Sequence, residues 1–148
     1  MNKRKRKKWL KENNLYVNPK DIWNLDIAIA EFVLPRLKLF KKKTISYPGY
    51  GKMNTPEKWD EALDKIILAF EYILHDDWWI DNPKYDYTNG LHMKFEPCED
   101  NKLHKLIIDK DDWVKDIENN KKQEEQRRQN VIDEGLQLFA KYYRHLWD

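Results

Sequence analysis

The sequence predicts an α-dominated α+β fold: a three-helix core, a short β-hairpin packed on one side and a long C-terminal helix. Three observations carry this. Apolar residues recur at three- and four-residue steps in three separate segments, as one face of a helix requires. Only Leu91 to Glu96 alternates with a period of two, and Lys102 to Ile108 follows as a second short run rich in Leu and Ile. No apolar run approaches the roughly 18 residues that cross a bilayer. With 148 residues, 41% hydrophobic and seven Trp, the chain has enough material for a single core. It divides into a basic N-terminal arm, residues 1 to 20, and one globular domain, residues 21 to 148.

The first helix is expected from about Ile22 to Lys42. Ile22, Leu25, Ile29, Phe32, Val33, Leu37 and Phe40 supply its stripe, and either Asn18-Pro19 or Asn24 supplies its cap. Pro35 removes one backbone bond and crowds the turn before it, which predicts a bend near residues 31 to 35. Lys41 to Lys52, with its Pro48-Gly49 pair and Gly51, reads as a turn-rich loop. The second helix has the clearest start: Thr55 as N-cap, Pro56 in the first position and Glu57 in the first turn. Trp59, Ala62, Leu63, Ile66, Ile67, Phe70, Ile73 and Leu74 form its apolar stripe, which ends near His75.

Asp76 to Asp112 has a different texture. The residues to Gly90 are loop-like; Leu91 to Glu96 and Lys102 to Ile108 then read as the strands of a hairpin laid on the helices, with Pro97 to Asn101 between them. From Asp112 to Trp147 the pattern is a long helix with two halves. Glu118 with Lys121 and Lys122, and Glu124 with Arg127 and Arg128, make a first half that is polar all round. Val131, Ile132, Leu136, Phe139, Tyr143 and Leu146, widened by Leu138, Tyr142 and Trp147, make a core-facing second half. The polar half has nothing to cover, so it is expected to project from the body or to break near Asn119-Asn120.

Charge is distributed unevenly. Lys3, Arg4, Lys5, Arg6, Lys7 and Lys8 hold six positive charges in a chain of net +2, leaving the remainder at −4. That excludes a generally basic nucleic-acid binder and confines phosphate attraction to the arm. Lys41, Lys42 and Lys43, with Tyr47 and Tyr50 in the glycine loop, extend the same expectation to a nucleotide or single strand. The loop nevertheless has neither the P-loop spacing nor the dinucleotide one. A single cysteine, Cys98, fits a reducing compartment. The arm runs into Trp9-Leu10-Lys11 and not into an apolar signal segment, so neither secretion nor membrane insertion is expected.

Candidates for chemistry are weak. His75-Asp76-Asp77 with Asp81, and Asp109 to Asp112 with Asp116, are carboxylate-rich, but the second lacks the sixth-position glycine and twelfth-position glutamate of a calcium loop. Among the histidines, His92 and His104 lie on the two strands and are placed to face each other. No spacing among the four matches a metal signature, so no catalytic residue, metal or cofactor is expected. The most unusual feature is Trp78-Trp79 followed by Tyr85 and Tyr87. Adjacent tryptophans cannot both point inward, and exposed Trp and Tyr are typical of protein-binding hot spots.

Val33-Leu34-Pro35-Arg36-Leu37, Tyr47-Pro48-Gly49, Trp59-Asp60-Glu61, Ile67-Leu68-Ala69-Phe70 and above all the ending Glu134 to Asp148, EGLQLFAKYYRHLWD, resemble a group of small bacteriophage-encoded proteins. The resemblance covers roughly residues 22 to 148. It implies a phage protein at work in the bacterial cytoplasm and brings no catalytic residues with it. The expected function is therefore a non-enzymatic binding protein that modulates a bacterial host protein or complex, as a counter-defence inhibitor does, through Trp78, Trp79, Tyr85, Tyr87, Arg127 and Arg128. The alternative is a nucleic-acid- or nucleotide-binding accessory protein using the arm and the tyrosine loop. A homodimer through the long helix is a further expectation.

Overall fold

Residue chemistry around Thr55 sets the central element. The Thr55 hydroxyl accepts the Lys58 N–H, Pro56 occupies the first turn, and the resulting helix runs Pro56–Leu74 until the His75 N–H closes onto Glu71. In the computed structural model, which describes residues 2–13, 16–98 and 103–147, this is α3. The others are α1 (Lys3–Glu12), α2 (Leu25–Lys43), β1 (Leu91–Pro97), β2 (His104–Lys110) and α4 (Asp112–Tyr142). The expected strand start at Lys102, the Glu99-Asp100-Asn101 turn and the terminal Asp148 lie outside the described residues. The α-dominated α+β class is the observed one. No helix of the described residues is long and apolar enough to cross a membrane.

Both α2 and α4 pack on α3, which buries Trp59, Ala62, Leu63, Ile66, Ala69 and Phe70 between them. The contact face of α2 matches the expected stripe at Val33, Leu37 and Phe40 and departs from it elsewhere. Ala30, Leu34 and Leu37 are buried and Val33 packs beside them, whereas Ile22, Leu25, Ile29 and Phe32 are exposed. The cause is that α2 is apolar on more than one side, so its periodicity fits two faces. The side bearing the small Ala30 is the one that meets α3. Helix α2 runs through Pro35 without ending, and its start is later than Ile22. Asn18 caps a separate 3-10 turn at Pro19–Ile22, and Asn24 supplies no side-chain cap.

Residues 112 to 142 form one continuous helix of 31 residues, about 46 Å long; there is no break at Asn119-Asn120. Its core face is also shifted. Gly135 and Tyr142 are buried, Leu138, Phe139 and Leu146 are partly buried against the core, and Leu136, Tyr143 and Trp147 are exposed. Gly135 sets this rotation. A Cβ there would stand 2.3 Å from the Ala69 Cβ and 2.6 Å from the Lys65 carbonyl oxygen, so α4 can approach α3 this closely only on its glycine side. Edge-to-face pairs, Trp59 with Tyr142 and Phe70 with Phe139, fill the seam. The ion pairs Lys38–Glu71, Lys41–Asp64 and Lys65–Glu134 link the helices at the rim, each contributing about 0–1 kcal/mol at such exposed positions.

The hairpin is an antiparallel pair with Leu91 opposite Lys110 and Pro97 opposite His104. It joins the helical body at its base. Gly90 is buried against Val114 and Trp113, its carbonyl accepts the Asp111 N–H, and Lys110 bonds Glu118 at 2.5 Å. Beyond the base, every strand residue except Leu91 and Ile107 is exposed. Within the basic arm, Lys3–Glu12 form a helix, α1, whose Lys5 amide is capped by the Asn2 side chain.

Candidate protein-binding surfaces

The Trp78-Trp79 segment does not hang free. After α3 ends at Leu74 and His75 caps it, the chain turns through Asp76–Asn82, and Asn82 caps the short 3-10 turn that buries Tyr85. Trp78 meets Tyr85 edge to face at 5.1 Å. Trp79 lies under the Lys121 ammonium, 3.0 Å from the ring centroid. Both tryptophans are half-buried, and so is Tyr87. The polar half of α4 is therefore not an overhang with nothing to cover: its cations roof the aromatic segment, an arrangement that favours desolvated cation–π contacts.

Arg127 and Arg128 serve the same junction. Arg128 donates to the His75 carbonyl at 2.9 Å and lies over both the Tyr72 and Trp78 rings. Arg127 donates twice to Glu124, at 2.6 and 2.7 Å, and once to the Tyr72 hydroxyl. Those bonds from Arg127 hold the Glu124 carboxyl below the usual glutamate range and push the guanidinium further up. The sequence-named cluster Trp78, Trp79, Tyr85, Arg127 and Arg128 is thus brought together, and it ties the 75–90 loop to α4.

The cationic candidates are dispersed. Lys3, Arg4, Lys5, Arg6, Lys7 and Lys8 are all exposed on α1, and consecutive residues on a helix point in different directions. Lys7 and Lys11 stand over the Tyr16 ring. Lys41 is taken up by Asp60 and Asp64, while Lys42 and Lys43 are exposed. In the tyrosine loop, Gly49 and Gly51 adopt φ of 75° and 58°, the left-handed turn conformation that glycine tolerates. The Gly49 amide is used internally, donating to the Met53 carbonyl. Tyr50 bonds His145 through its hydroxyl and packs edge-on against that ring. Tyr47 is exposed nearby.

The strand register separates the two histidines that were expected to face each other. His92 stands opposite Asp109 and bonds Asp111 at 3.2 Å, while His104 stands opposite Pro97 at the other end. Among the described residues no group of three or more His, Cys, Asp or Glu is placed to hold a metal ion.

Two apolar surfaces were not singled out by sequence reasoning. On the hairpin, Met93 opposes Ile108 and Phe95 opposes Leu106, so these four share one face, and they are 66, 48, 69 and 44% exposed respectively. The opposite face is polar apart from the half-buried Ile107. There Lys94 bonds Asp109 at 3.2 Å, which raises the Lys94 ammonium above its ordinary value. On α2, Leu25, Ile29, Phe32 and Leu39 line a second exposed stripe, with Arg36 folded over the Phe32 ring. The alternation of residues 91 to 96 was the available signal for the hairpin face; it marks an apolar side without saying what covers it.

Compared with protein-family models, curated proteins and solved structures, the chain matches none. The class that fold and surfaces define is an α+β helical protein with a two-faced hairpin extending from its helical body.

Proposed function

We propose that this is a non-enzymatic binding protein that engages and modulates a bacterial protein or complex, with the apolar hairpin face as its principal contact. The observation behind this is the exposure of Met93, Phe95, Leu106 and Ile108 together on one side of a two-stranded element. Such a unit is marginal in water unless its apolar face is covered, and contiguous apolar patches on soluble domains mark interaction sites. Trp78 and Trp79 support the loop beside α4 and contribute at most through their exposed edges. The resemblance of the C-terminal helix to phage-encoded proteins supports a counter-defence setting in the host cytoplasm.

The test is affinity capture from bacterial lysate followed by reconstitution of the captured protein in pure form. Met93→Ser with Phe95→Ser is expected to abolish a stoichiometric complex that the parent chain forms, with helical content unchanged. A complex that survives this pair of changes, or a purified chain that turns over a substrate, overturns the reading.

The accessory nucleic-acid reading is favoured by one observation, the exposure of all six cations Lys3 to Lys8 on a capped helix. It requires single-stranded or duplex DNA or RNA to bind at low salt, with affinity falling roughly 10-fold or more between 50 and 200 mM salt if several phosphates are neutralised. A titration showing no binding at 50 mM salt removes it.

A further inference from the structure

Among the described residues the hairpin has two open edges, and they are not equivalent. Two backbone bonds fix the phase of the ladder: Asp111 N–H to the Gly90 carbonyl at 3.0 Å, and Cys98 N–H to the Leu103 carbonyl at 2.8 Å. In the observed register, bonded pairs recur every second residue between these two. Lys105, Ile107 and Asp109 therefore direct their backbone groups toward β1. His104, Leu106, Ile108 and Lys110 direct theirs outward from β2. On the other edge the outward residues are Leu91, Met93, Phe95 and Pro97, and Pro97 has no N–H to offer, the usual way an edge is blunted. The β2 edge carries a full set of outward donors and acceptors.

The sequence of β2, His104-Lys105-Leu106-Ile107-Ile108-Asp109-Lys110, is complementary to itself when reversed. About a two-fold axis at Ile107, Lys105 stands opposite Asp109, Leu106 opposite Ile108 and Ile107 opposite its own copy. The outward backbone groups of Leu106 and Ile108 then bond each other. Lys105, Ile107 and Asp109 fall at the non-hydrogen-bonded positions, where facing side chains come closest. Moving the axis by one residue sets Ile107 against Lys105 or against Asp109 and loses both matches.

We propose that β2 pairs with β2 of a second copy of this chain, antiparallel and centred on Ile107, to make a four-stranded sheet of order β1-β2-β2-β1. Pairing removes the open edge and brings the hairpin to the strand number at which sheets become independently stable. It also joins the Met93, Phe95, Leu106 and Ile108 faces of both copies into one apolar surface. The pairing stands whether or not that surface binds a second protein.

Sedimentation of the full chain across a hundredfold concentration range is expected to show 18.2 kDa monomer giving way to dimer. Ile108→Pro removes an outward N–H from each copy and none from the β1–β2 ladder. It is expected to weaken dimerisation about tenfold or more, the worth of two hydrogen bonds. Met93→Pro makes the same change on the opposite edge and is expected to leave the dimer intact. Hydrogen exchange of the unaltered chain checks the same point without a variant: the amides of Leu106 and Ile108 gain protection as dimer forms, whereas that of Ile107 is already protected in the monomer. A chain that stays monomeric at all concentrations, a dimer indifferent to Ile108→Pro, or one lost equally in Met93→Pro overturns the proposal.

Discussion

Gly135→Ala is expected to destabilise the protein by about 2 kcal/mol, against the sign that helix propensity gives. In an exposed helix interior the change gains roughly 1 kcal/mol, because alanine loses less backbone freedom on folding. Here the added methyl would lie 2.3 Å from the Ala69 Cβ and 2.6 Å from the Lys65 carbonyl oxygen, and neither belongs to a side chain that can swing aside. Accommodating it means separating α3 from α4, at the upper end of the ~1–3 kcal/mol usual for overpacking or beyond it. Urea denaturation checks this: the midpoint should fall with an unchanged slope. Adding Ala69→Gly should recover only part of the loss, because the Lys65 oxygen remains. A more stable Gly135→Ala protein would mean that the helices do not meet as described.

Ile66→Ala should cost about 2–5 kcal/mol, the range for removing a large aliphatic side chain from a site that cannot collapse. Ile66 is fully buried in the cluster with Ala30, Leu34, Leu37 and Phe70, and Leu138 and Phe139 of α4 pack on that cluster. Against a typical total of ~5–15 kcal/mol for a domain, the loss brings the variant near its unfolding threshold at 25 °C. Ile29→Ala is the informative partner. Periodicity assigns Ile29 to the core stripe of α2, whereas the structure leaves it 47% exposed, so its loss should stay within roughly 1 kcal/mol. Equal losses at Ile29 and Ile66 would restore the face that the sequence pattern favours.

These two experiments bear on the places where sequence and structure part. Thr55-Pro56 announced α3 because the determinants of a helix start are local: a side-chain acceptor and a proline within one turn. The hairpin was legible for a similar reason, since alternation is a property of neighbouring residues. The contact face of α2 was legible only at Val33, Leu37 and Phe40, because Leu25, Ile29 and Phe32 satisfy the helical period as well as Ala30 and Leu34 do. The cluster of Trp78, Tyr85 and Arg128 was half legible. Its residues stood out by type, but their mutual contacts join segments some 50 positions apart, and only chain geometry brings Arg128 to the His75 carbonyl.

By itself the sequence determined the type and order of the three core helices and the hairpin, the starts of α3 and α4 and the uneven placement of charge, all of which depend on interactions within a few residues; it did not show that part of the basic arm is helical. Tertiary structure alone decided which apolar faces are used. The glycine at 135 and the alanines at 30 and 69 choose the packed sides by letting backbones approach. What that choice leaves outside, the hairpin face and the outer stripe of α2, is the surface available for recognition.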